Sequence, residues 1–279
     1  MIYLYAYTNH RADLDALRRM GALWRALEAR GVRAELIVND YRAQLAGREL
    51  GLPPATTVEN IMELDALVNG GDRVVIDSPE DPGERLGFYV EKYAGVYTVK
   101  PCGAQSRFGE TVLAVFREGA AVDPVYKEAA ALPKVPRKVL IYGDTDHDKR
   151  LLKSAEALGA LGLDLYWGSY FYVKYEEELA RCFGTIYESE EYRELIEGSG
   201  TIVTGLPQTA AEAIVAGARA IWLDRGEAPK CTVELLESAG VTRIPWGDWR
   251  GLEAALKEEE KKETSLKNLV EDWAALIAD

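Results

Sequence analysis

Thr209 and Glu212 stand three residues apart in GLPQTAAEAIVAG, residues 205–217, between the apolar runs 201–204 and 219–223. A strand that ends in Gly205 and turns into a helix gathers free backbone N–H groups and the positive end of the helix dipole. Both favour an anion such as phosphate. Thr209 has two uses there: capping the helix, or giving its hydroxyl to a phosphate. Glu212 has two as well: reaching back to the Thr209 N–H as a capping box, or accepting hydrogen bonds from a ribose. The spacing leaves both pairs open. Gly217 is placed to stop the helix.

A second loop, YGDTDHDK at 142–149, alternates Asp144, Asp146 and Asp148. A calcium loop of EF-hand type needs glycine and glutamate where Lys149 and Ala155 stand, so the pattern fails. Asp144 or Asp146 capping a helix over 147–158 is the simpler expectation, and no metal is expected. Gly168, in YWGSYF, marks either an ordinary turn or a close approach of backbone to a base or sugar. The aromatic residues of 166–175 suit stacking on a nucleotide or packing in a core.

In the first half, His10 follows the first strand, with Asn9 and Arg11 beside it. A neutral imidazole there could take a proton from water or a sugar hydroxyl, or simply be a solvated loop residue. Asp77, at the end of RVVID, is the second candidate base, with Ser78 next to it; the alternative is the polar end of a strand. Arg11, Arg18 and Arg19 could offset pyrophosphate charge. Cys102, Cys182 and Cys231 show no CxxC spacing, which leaves zinc without a site. The chain contains no Walker loop, no GxGxxG after its first strand, no GxSxG and no HExxH, so four common enzyme classes have no support.

Short β-branched or aromatic runs must position these loops. They alternate with amphipathic stretches, as in parallel sheets joined by right-handed crossovers. Strands are expected at 2–7, 34–38, 73–76, 96–99 and 111–116, then at 138–142, 163–167, 185–187, 200–204, 219–223 and 241–244. The first helix carries Leu14, Leu17, Met20, Leu23 and Leu27 on one face, with Asp13 as its expected cap and Gly31 after its end. The proline-containing stretch 119–137 marks a boundary. The fold class expected is therefore α/β, with two Rossmann-like domains whose parallel sheets face across a cleft. The domains run 1–122 and 138–279, joined by a linker at 123–137 and closed by a C-terminal helix.

Acids outnumber bases 46 to 33, a net charge of −13 that disfavours nucleic acid and anionic membranes as partners. An anionic ligand must then be held by local amides or a few arginines. The first ten residues do not read as a signal peptide, and no apolar run reaches the ~20 residues of a membrane span, so a cytoplasmic protein without membrane insertion is expected. The sequence is silent on oligomeric state.

The order VLIYGDTD, LDLYWG, then the run from YRELIEGSG through GLPQTAAEAIVAG to IWL, and ELLESAGV resembles the nucleotide-binding half of GT-B glycosyltransferases. It looks most like the short nucleotide-sugar hydrolases of the pseudaminic-acid pathway and their spore-coat polysaccharide relatives. Their first loop reads approximately GGSDP, their second strand ends in Gly, and their third loop reads GGST-x-x-E-x-x-x-x-G. Gly143, Thr145 and Asp146 fall on the first, Gly168 on the second, and Thr209, Glu212 and Gly217 on the third. The resemblance implies that Glu212 holds the ribose and the loop amides the diphosphate, of a UDP-sugar above others, with no cofactor. It implies hydrolysis of a nucleotide-activated sugar in surface or flagellar polysaccharide synthesis. Transfer to an acceptor, or binding without chemistry, are the alternatives. The chain departs from the pattern at Leu206 and Pro207, where the family has glycines and proline removes an amide donor. Arg19 falls on the family's first-helix arginine, but Ala16 falls on its histidine, with His10 upstream.

Overall fold

The computed structural model describes residues 1–9, 11, 13–171, 175–258 and 265–279. The chain divides into two compact units, one made of Met1–Asn9, Leu14–Pro124 and Lys267–Asp279, the other of His10–Asp13 and Val125–Leu266.

In the first unit, β1 (Ile2–Ala6), β2 (Ala34–Val38), β3 (Thr56–Thr57), β4 (Arg73–Asp77), β5 (Gly95–Pro101) and β6 (Thr111–Val115) pair in parallel in the order β3-β2-β1-β4-β5-β6. In the second, β7 (Val135–Ile141), β8 (Asp164–Tyr166), β9 (Ile186–Tyr187), β10 (Ser199–Thr204), β11 (Arg219–Asp224) and β12 (Thr242–Pro245) pair in parallel in the order β12-β11-β10-β7-β8-β9. Numbered within its own unit, each sheet has the 3-2-1-4-5-6 order of doubly wound folds. Helices cover both faces of such a sheet, so its central strands are apolar runs rather than alternating ones. Leu4, Tyr5 and Ala6 are buried in succession, as are Val139, Leu140 and Ile141.

Helix Asp15–Ala29 buries Leu17, Met20, Leu23 and Leu27 and ends before Gly31, whose φ of 73° suits the left-handed stop that follows. Leu14, not Asp13, is its N-cap residue and provides no side-chain cap. Strand β7 starts at Val135, inside the expected linker, and pairs Val135 with Ser199 across a bulge. The expected linker also contains helix Val125–Ala129.

The final helix, Val270–Ala278, belongs to the first unit, which corrects the placement of the chain's end in the second domain. Its buried side chains Val270, Trp273, Ala274 and Ile277 find their partner in helix Asp15–Ala29. Arg73 Nη1 caps its last turn on the Ile277 and Ala278 carbonyls at 2.7 and 2.9 Å. Asn268 ties the entry to this helix to both the N–H and the C=O of Val122.

Candidate functional site

In this strand order, the loops leaving the carboxyl ends of the two central strands part to opposite faces and leave room for a ligand. In the second unit those loops follow β7 and β10. After β7 the backbone N–H groups of Asp144 and Thr145 both donate to Asp13 Oδ1, at 2.6 and 3.2 Å. A Cβ on Gly143 would stand 2.6 Å from that oxygen, so any side chain here would push the Asp13 carboxylate off these amides. Asp146 is an N-terminal cap, as one reading of the loop expects: its Oδ1 and Oδ2 each accept at 3.0 Å, from the N–H of Leu151 and Leu152. Burial pushes its pKa up against the pull of those backbone donors. The helix it caps starts at Arg150, later than the sequence suggests, because Lys149 sits in the left-handed region. Gly168 packs against backbone: its Cβ would meet the Asp144 Cα and the Gly143 carbonyl at 2.6 Å, so the β8 loop braces the β7 loop.

After β10, Leu206 is the N-cap residue of helix Pro207–Val215 and its N–H bonds Thr204 Oγ1 at 3.0 Å. Pro207 is tolerated at the first helical position, where an N–H lacks an intrahelical partner anyway. Thr209 therefore lies within the helix and does not cap it. It is fully buried, with Oγ1 3.0 Å from the Tyr192 hydroxyl. Glu212 is only 1% exposed and accepts from Tyr192 at 2.5 Å and from Gln208 Nε2 at 3.0 Å. The capping box read from the spacing is replaced by an interior polar network. Tyr192, on helix Tyr192–Gly198, completes it from seventeen residues upstream of Thr209. Gly217 stops the helix at a φ of 81°.

Gly205 has a specific reason to be glycine. A Cβ there would lie 2.5 Å from both Arg225 Nη2 and the Tyr142 carbonyl. Arg225 lies 4.2 Å over the Tyr142 ring and donates to the Tyr142 carbonyl at 2.9 Å. Burial pushes the Tyr142 hydroxyl up to about 12, with Arg225 pulling the other way, so the ring under the guanidinium is neutral at working pH. A cavity of about 280 Å³ opens beside these groups, with Arg11, Asp13, Gly205, Trp222 and Arg225 in its wall. Among the described residues, Trp222 Nε1 and Arg225 Nε are buried without a hydrogen-bond partner. Larger cavities of about 390 and 330 Å³ lie in the first unit around Met1 and Arg33, at the opposite, amino ends of the strands.

In the first unit, the carboxyl end of β4 brings two candidates together. Arg19 grips Asp77 with Nε on Oδ2 at 2.7 Å and Nη2 on Oδ1 at 3.1 Å. Both carboxylate oxygens are thus engaged, the bidentate geometry that fixes orientation best. Ser78 donates to Glu80 Oε2 at 3.0 Å, and Tyr5 donates to the same oxygen at 2.6 Å. His10 lies outside the described residues. Asp13, Glu80, Tyr192 and Arg225 were not singled out as site residues from sequence. Only Arg225 carried a signal, as a cation directly after a buried strand; the others are brought in by tertiary packing. Among the described residues there is no cluster of three or more metal-ligating side chains, and no helix is long and apolar enough to cross a membrane.

The chain resembles S. aureus MnaA in its co-structure with UDP, at 11% identity and a TM-score of 0.61, over 100% of this chain and 98% of that one. The fold is of GT-B type. Methanocaldococcus jannaschii UDP-GlcNAc 2-epimerase in complex with UDP-GlcNAc and UDP is similar at 12% identity and TM-score 0.60, covering 100% and 99%. Glycosyltransferase VinC in complex with dTDP gives 13% and 0.50, covering 99% and 98%. At these identities the likeness is one of fold. No protein-family model matches the chain, and no curated protein matches it in sequence.

Proposed function

We propose that this chain binds a nucleotide-sugar, with the second unit holding the nucleoside diphosphate of a UDP-sugar, and that it cleaves the bond between sugar and diphosphate. The observation that carries this reading is the cavity at the carboxyl ends of β10 and β11. Arg11, Arg225 and the backbone at Gly205 border it in a protein whose net charge of −13 disfavours anions elsewhere. The structural neighbours crystallised with UDP and UDP-GlcNAc support the choice of ligand class.

In hydrolysis, water attacks the anomeric carbon and the diphosphate leaves with the bonding electrons. Donors preorganised around the leaving oxygens lower that barrier. Backbone N–H groups and Arg225 take this role. His10 is assigned the proton of the attacking water; Asp77, oriented by Arg19 at both oxygens, is the alternative base. Thr209, Glu212 and Asp146 shape the loops from inside, and Gly143, Gly168 and Gly205 let the backbones approach. Transfer to a sugar hydroxyl, in the polysaccharide setting that the family resemblance implies, uses the same groups; the likeness to glycosyltransferase VinC favours keeping it as the second reading.

Thermal unfolding against UDP, GDP, ADP, CMP, dTDP and their sugar conjugates tests the binding. A ligand at 100 times its dissociation constant stabilises by about 2.7 kcal/mol, a rise of roughly 5–10 °C for a domain of this size. The expected result is a rise with UDP-sugars that Gly205→Ala abolishes, with release of free UDP on incubation. Unchanged unfolding with every nucleotide would overturn the proposal.

A further inference from the structure

Two consecutive N–H groups, those of Asp144 and Thr145, converge on a single oxygen, and that oxygen is the carboxylate Oδ1 of Asp13. Successive backbone donors arranged in this way form an anion-binding concavity. The same oxygen lies 2.6 Å from where a Cβ on Gly143 would be, so glycine leaves the carboxylate its place on the amides. The loop is therefore built around an anion, and the chain supplies one.

Asp13 also forms part of the wall of the 280 Å³ cavity, together with Arg11 and Arg225. Trp222 lies in that wall, 1% exposed, and its Nε1 has no hydrogen-bond partner among the described residues; the same is true of Arg225 Nε. Buried donors of this kind are costly unless something accepts from them. The cavity wall thus joins a carboxylate already seated on amides to the guanidinium groups of Arg11 and Arg225.

We propose that the Asp13 carboxylate occupies the position meant for a phosphate, so that Asp13 and the diphosphate of an incoming nucleotide compete for the Asp144 and Thr145 amides. Binding exchanges one anion for the other. The phosphate takes the amides, its remaining oxygens reach Arg225, and Asp13 withdraws. This rests on the reading of the second unit as a nucleoside-diphosphate site. It adds that Asp13 holds the two amides until a phosphate displaces it, so affinity is set by that displacement. It also explains how a diphosphate finds backbone donors although the Leu206 N–H is engaged by Thr204 and Pro207 has none: they come from the β7 loop.

The test is calorimetric titration of the full chain with UDP, inorganic pyrophosphate and uridine. The variants are Asp13→Asn, Asp13→Ala and Arg225→Gln, each checked for native circular dichroism. Asp13→Asn keeps the shape and an acceptor oxygen while removing the charge. Both Asp13 variants are expected to bind UDP and pyrophosphate about tenfold more tightly, equivalent to about 1.4 kcal/mol. Uridine, which carries no phosphate, should be unaffected, and Arg225→Gln should weaken UDP and pyrophosphate alike. UDP binding that is unchanged or weaker in both Asp13 variants would make Asp13 a plain structural tie and overturn the inference alone. Absence of UDP and pyrophosphate binding in wild type and variants would overturn it together with the nucleotide reading.

Discussion

Tyr192 shows how far a three-residue spacing can be read. The interval from Thr209 to Glu212 is visible in the sequence, and so is a helix after Gly205. What the pair does is decided by a tyrosine hydroxyl from another helix, which donates to Glu212 at 2.5 Å and stands 3.0 Å from Thr209. No local pattern reports such a partner, because helix–helix packing, not sequence distance, puts it there. The same holds for Arg19 and Asp77, each legible as a candidate but not as a bidentate pair across 58 positions. Buried polar networks of this kind cost more when half-satisfied than when absent. Tyr192→Phe leaves the Glu212 carboxyl short of a donor in a site closed to water and should destabilise the chain by roughly 1–3 kcal/mol. Chemical denaturation would show the lower midpoint; a variant as stable as wild type would mean that Glu212 has another full complement of donors.

At the scale of elements, strands came through more clearly than the starts of helices. An apolar run bounded by turn residues identifies a buried parallel strand. The first turn of a helix depends on single dihedrals, such as the left-handed Lys149 that delays the helix after β7. The two-residue β3 escaped notice because Thr56 and Thr57 are exposed and offer no apolar run. Loops fixed by one acid are similarly hidden. Between β5 and β6, Glu110 is buried and accepts from the N–H of Arg107 and Phe108 and from Ser106 Oγ. Burial raises its pKa, but these donors outweigh it and hold the carboxyl below its ordinary 4.5. A depressed folded pKa means that the stabilisation is complete above about pH 4.5 and is lost as pH falls through the lower folded value. Glu110→Gln should therefore flatten the acid limb of a stability-against-pH curve, and an identical limb in both proteins would show that this loop does not contribute.

For the whole molecule, alternation of strands and helices was enough to give two doubly wound units, and the acidic surface was enough to direct attention to local donors for any anion. It did not give the path of the chain, which leaves the first unit after Pro124 and rejoins it at Lys267. Amphipathic spacing shows that 270–278 must bury a face, yet it carries no address for the surface that receives it. The address is physical: Trp273 and Ile277 pack with helix Asp15–Ala29, Glu271 pairs with Arg30, and Arg73 closes the final carbonyls. Trp273→Ala removes a large buried ring and should cost about 3–5 kcal/mol. The loss must be local to the first unit. Hydrogen exchange should then quicken in helix Asp15–Ala29 while helix Pro207–Val215 keeps its protection, since its buried face is satisfied within the second unit. Equal loss of protection in both helices would show the two units to unfold as one cooperative body, and the returning helix would then stabilise the second unit as much as the one it packs on.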